Sequence, residues 1–77
     1  MYQLEIKGGK IKKFSTYSEA IEEMEKEVPG LLWKRVGMTE WFGMEPTSLR
    51  DQLDFSSGFF RFEYHDPRIK AKITYLY

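Results

Sequence analysis

Thr16-Tyr17-Ser18-Glu19-Ala20-Ile21-Glu22-Glu23-Met24-Glu25-Lys26-Glu27-Val28-Pro29-Gly30 is the stretch on which the fold turns. Thr16 and Glu19 stand at the spacing of a capping box, in which hydroxyl and carboxylate each satisfy a backbone N–H that the first helical turn leaves without a partner. Tyr17, Ala20, Ile21, Met24 and Val28 recur at three- and four-residue steps, while Glu19, Glu22, Glu23, Lys26 and Glu27 fall on the other side. This spacing predicts an amphipathic helix with one packed stripe and one wet one. Pro29 disfavours helical geometry at Val28, and Gly30 tolerates the turn out, so the helix ends there.

On its N-terminal side the period changes from 3.6 to 2. Tyr2, Leu4 and Ile6 alternate with Gln3, Glu5 and Lys7, the pattern of a half-buried strand. Gly8-Gly9 suits a tight hairpin turn, and Ile11 to Phe14 return as a second strand. After the helix, Leu31 to Val36 and Thr39 to Met44 are rich in aromatic and branched residues around Gly37-Met38, which suggests a second hairpin or one long irregular strand. Pro46 to Leu53 fits about two helical turns or a loop, with Ser48 and Asp51 at capping-box spacing and Leu49 and Leu53 stacked one turn apart. Ser56-Ser57-Gly58 reads as a break, Phe59 to Tyr64 as a strand, and Asp66-Pro67 as a turn. A last strand over Arg68 to Tyr77 sets Ile69, Ala71, Ile73, Tyr75 and Tyr77 against Lys70, Lys72 and Thr74. The expected fold over residues 1–77 is therefore one α+β domain. A mainly antiparallel sheet of about four to six strands, in ββα-ββ-ββ order, carries one amphipathic helix on one face, with room for a short second helix.

Composition narrows the functions open to such a domain. With 77 residues, 42% of them apolar and 31% charged, the chain has the profile of a small folded protein. Twelve basic residues balance twelve acidic ones, so no global field draws it to nucleic acid or to an anionic membrane. No cysteine is present, which removes disulfides, thiolate chemistry and the usual structural zinc sites. Met1 to Glu5 lacks the basic start and apolar run of a signal peptide, and the chain reads as cytoplasmic with no membrane partner.

Several motifs invite chemistry and fall short of it. Gly8-Gly9-Lys10 is followed by Ile11 where a phosphate loop needs Ser or Thr. His65 is the lone histidine, and His65-Asp66 lacks the further ligands that a metal shell demands. Ser48, Ser56 and Ser57 have no activating base held by a third group. The helix carboxylates belong to a solvated face rather than an apolar pocket. No catalytic, metal-binding or cofactor-binding residue is assigned, and the chain reads as a non-enzyme.

What stands out is the aromatic fraction of 17%, more flat side chains than so thin a fold hides easily. The leading expectation is a small protein-binding module, a regulator or inhibitor docking on a larger protein, with Trp33, Trp41, Phe42 and Met44 as contact residues. Accessory proteins of phages and other mobile elements often share this profile. The alternative is a single-strand nucleic-acid binder. Gly58, Phe59 and Tyr64 match the aromatic strand motif of RNA-binding sheets, but Ser57, Phe60 and Arg61 depart from it. Lys12, Phe59, Arg61, Arg68, Lys70 and Lys72 would then line a basic sheet face. Finally, Ile73 to Tyr77 carries neither proline nor charge, so at a sheet edge it would pair with a second copy and give a homodimer.

Overall fold

The computed structural model describes residues 1–46, 48–57 and 66–77, with Ser56 and Ser57 as backbone. The first alternating stretch forms β1 (Tyr2–Ile6), and Gly8 and Gly9, at φ 109° and 107°, turn the chain into β2 (Lys10–Phe14). Backbone in this region is open to glycine and strained for other residues. Helix α1 (Tyr17–Glu27) begins where its cap places it, with the Glu19 N–H donating to Thr16 Oγ1 at 3.2 Å. The second half of the expected box differs, because the Glu19 carboxylate accepts from the Thr16 hydroxyl at 3.0 Å. At the other end the Val28 N–H closes on the Met24 carbonyl at 2.8 Å, and Gly30 takes φ 82°.

A second hairpin joins β3 (Leu32–Arg35) to β4 (Glu40–Met44). Helix α2 (Leu49–Ser57) follows, started by Ser48 Oγ accepting from the Asp51 N–H at 3.1 Å. It runs beyond the two turns expected and through the serine pair read as a break. The expected strand over 59–64 lies outside the described residues. Strand β5 (Ile69–Tyr75) completes an antiparallel five-stranded sheet in the order β2-β1-β5-β4-β3. The α+β architecture is thus the one the sequence implies.

Two expectations change. The C-terminal strand is the centre of the sheet and not its edge, because β1 and β4 bond to its two sides. A homodimer built on its free edge has no edge to use. Nor does Ile69 share the side of Ala71 and Ile73, because the β4–β5 ladder shifts register between Gly43 and Met44. Side chains alternate, so Tyr2, Leu4, Ile6, Ala71, Ile73, Trp41 and Trp33 share the face that α1 covers. Helix α2 lies on the opposite face at the β3–β4 end, where Phe55 packs with Phe42, Met44, Ile69 and Leu32. Leu49 and Leu53, expected to stack one turn apart, are 70% and 61% exposed; Phe55 is the anchor.

The core therefore has two parts, one on each side of the sheet. Leu4, Ala20, Met24, Leu31, Ala71 and Ile73 form the first and Phe42, Met44, Phe55 and Ile69 the second. Fully burying one of the larger of these side chains stabilises the fold by about 1.5–3 kcal/mol. Among the described residues the core contains no polar or charged side chain.

Candidate functional site

Helix α1 lies over β2, β1 and β5, which leaves β4 and β3 beside it on the same face. Aromatic rings fill this flank. Trp41 stands opposite Ile73 in β5 and meets Tyr17, the first residue of α1, at 5.0 Å between ring centroids. Tyr2 lies 6.0 Å from both Trp41 and Tyr17. Tyr75, its partner across the β1–β5 pairing, is 5.0 Å away. Tyr77 continues the row at 5.3 Å from Tyr75. On the far side the Arg35 guanidinium lies 5.6 Å over the Trp41 ring, fixed by bonds to the carbonyls of Gly37 and Met38.

Tyr2, Tyr17, Trp33, Trp41 and Tyr75 are half-buried, so each ring packs on one side and meets solvent on another. Tilted and edge-on ring pairs add about 0.5–1.5 kcal/mol each beyond the area they bury, which holds the wall in place. The exposed Arg35 adds a cation–π contact of about 0.5–1 kcal/mol. Burial pushes the Tyr17 phenol above its ordinary pKa, so it stays a neutral hydroxyl. A row of held aromatics beside an arginine has the composition of protein-binding hot spots and loses little side-chain freedom on contact.

The four contact residues expected from the sequence divide between two faces, because β4 alternates. Trp41 joins the wall. Trp33 is half-buried with its ring against Gly43, opposite it in the hairpin, where no side chain intervenes. Phe42 and Met44 point the other way and are 8% and 0% exposed in the core beneath α2, which leaves them almost no surface to offer a partner. Tyr2, Tyr17, Tyr75 and Arg35 escaped the sequence reading. Their signal was present only as strand and helix parity; what brings them together is the β1–β5–β4 order.

The cations expected to form a basic sheet face are dispersed. Lys12 lies on the α1 side and pairs with Glu23 at 2.8 Å and Glu27 at 3.7 Å, joined by Lys10 to Glu27 at 3.7 Å. These bonds also occupy part of the acidic helix surface. Lys70 is half-buried at the β4–β5 register shift, and Lys72 lies on the other face between Glu5 at 3.5 Å and Glu40 at 3.8 Å. Arg68 bridges Asp66 at 2.9 Å and Asp51 at 3.0 Å, tying the start of β5 to α2. Phe59, Arg61 and His65 lie outside the described residues. Among the described residues no three metal-ligating side chains converge, and no helix is long and apolar enough to cross a membrane.

Comparison of the chain with protein-family models, with curated proteins and with solved structures gives no match.

Proposed function

We propose that this chain is a non-enzymatic protein-binding module, a small regulator or inhibitor that docks on a larger protein. The contact surface is the wall of Tyr2, Tyr17, Trp33, Trp41 and Tyr75 with Arg35 at its margin. One observation carries the reading: Tyr2, Tyr17 and Trp41 pack on one another, Tyr75 packs on Tyr2, and with the Arg35 guanidinium these rings are held half-open on one flank of α1. Large rings with few rotatable bonds give contact area at low entropic cost, and Trp, Tyr and Arg are the residues that dominate measured interfaces.

Affinity capture from native lysate, with and without nuclease, tests it. A specific protein partner should survive nuclease and be lost with Trp41→Ala or Arg35→Ala, while Leu53→Ala on α2 retains it. Circular dichroism of each variant separates lost contact from lost fold. A partner retained by both wall variants refutes the site, and one released by nuclease refutes the protein-binding reading.

A further inference from the structure

The outer edge of β3 borders the aromatic wall, and its backbone polarity follows from the hairpin register. The Val36 N–H donates to the Glu40 carbonyl at 2.9 Å. Antiparallel pairs alternate between bonded and non-bonded, so Lys34↔Phe42 and Leu32↔Met44 bond inward while Trp33↔Gly43 and Arg35↔Trp41 do not. The N–H and C=O groups of Trp33 and Arg35 therefore point away from the sheet. Among the described residues no strand pairs with them.

The flanking side chains state what would fit there. Trp33 and Arg35 lie on the wall side, Leu32 and Lys34 on the other. Lys34 Nζ is held by the Phe55 carbonyl at 2.8 Å, over the Phe55 ring, and Arg35 by the Gly37 and Met38 carbonyls. Both cations are positioned by neutral oxygens, unlike Lys12, Lys72 and Arg68, which face carboxylates. Two adjacent positive charges thus flank an edge with four outward backbone groups. A second copy does not suit it, since pairing two β3 edges sets like charges across from each other, and the other edge strand, Lys10–Phe14, carries three lysines.

We infer that the outer edge of β3 receives an extended acidic segment of a partner protein as a sixth strand. Its backbone bonds Trp33 and Arg35; its carboxylates lie on the wall side toward Arg35, and its alternate apolar side chains lie on the other side against Leu32. This strand addition uses main-chain bonds for affinity and the flanking side chains for choice of sequence. It rests on the protein-binding reading above and names the partner's chemistry.

The probe is an eight-residue peptide alternating glutamate and valine, compared with its lysine counterpart and with a copy N-methylated at alternate amides. Amide hydrogen exchange followed by NMR on the full chain reads the edge directly. The acidic peptide should slow exchange at Trp33 and Arg35 at least tenfold, leaving the already bonded Lys34 and Val36 amides unchanged. Arg35→Glu should weaken binding at least tenfold, whereas Arg50→Glu on α2 should not. Unprotected Trp33 and Arg35 amides at millimolar peptide, or equal binding of the lysine or N-methylated peptide, overturn the inference. If Trp41→Ala still abolishes capture of the native partner in that case, the aromatic surface stands and only the added strand falls.

Discussion

Replacing Gly43 with alanine tests the packing of the β3–β4 hairpin at one atom. The new Cβ would fall 2.9 Å from Cη2 of Trp33 and 3.0 Å from Cζ2 and Cζ3. A methyl cannot sit there while the indole stays flat on the strand. Gly43 has no positive φ, so alanine incurs no backbone strain, and elsewhere such a change gains about 0.4–1 kcal/mol by restricting the unfolded chain. Against this stands overpacking, which costs about 1–3 kcal/mol when side chains are forced off their rotamers. The difference predicts a net loss of about 1–2 kcal/mol. For a domain of this size that lowers the melting temperature by about 5–15 °C. Thermal and urea unfolding followed by far-ultraviolet circular dichroism measure it. The double variant with Trp33→Ala should recover most of the loss attributable to Gly43→Ala, since the ring it strikes is gone. If Gly43→Ala is neutral or stabilising in the presence of Trp33, the indole does not lie on Gly43.

Met24→Ala should destabilise by about 2–5 kcal/mol, because Met24 is fully buried between α1 and the sheet, while Leu53→Ala on the open side of α2 should stay within about 0.5 kcal/mol; urea midpoints compare them. Hydrogen bonds from Arg68 chiefly hold the Asp66 carboxyl below its ordinary pKa, as do the hydrogen bonds and charge of Lys12 for Glu23. Both groups then favour the fold above their unfolded values and lose that contribution as pH falls below about 4. Melting temperature should drop across that range, and Asp66→Asn should flatten the drop; an unchanged acid limb in that variant would remove Asp66 from the account.

Helix α1 was legible because its signals are local: a cap at Thr16, a stripe from Tyr17 to Val28, and a stop at Pro29-Gly30 all lie within fifteen consecutive residues. The alternation in β1 and in β5 from Ala71 onward was equally plain, but Ile69, expected beside Ala71 and Ile73, packs with Phe42, Met44 and Phe55 past a register shift at Gly43/Met44. Strand order was not. An apolar run such as Ile73 to Tyr77 reads the same at an edge or at a centre, and only its pairing with Tyr2 on one side and Trp41's strand on the other decides. The same gap explains the site. Trp41 is visible in the sequence, but Tyr2 and Tyr75 join it only once β5 lies between β1 and β4. For α2, Leu49 and Leu53 have textual symmetry at i and i+4, yet the face that docks is set by where Phe55 meets Phe42 and Met44 across the sheet.

The central place of β5 also governs how the chain is made. Among the described residues the β1–β2 and β3–β4 hairpins share no backbone bond, and Ile69–Tyr75 is the strand that pairs with both. A ribosome that has delivered residues 1–57 has supplied both hairpins and both helices, but each hairpin still shows an unpaired inner edge. Closure requires contacts as distant in sequence as Tyr2 and Tyr75, which slows folding relative to a fold of local pairs. Nascent chains stalled before residue 69 are thus the species most in need of a chaperone, and premature termination there yields adhesive fragments in place of a shorter working protein.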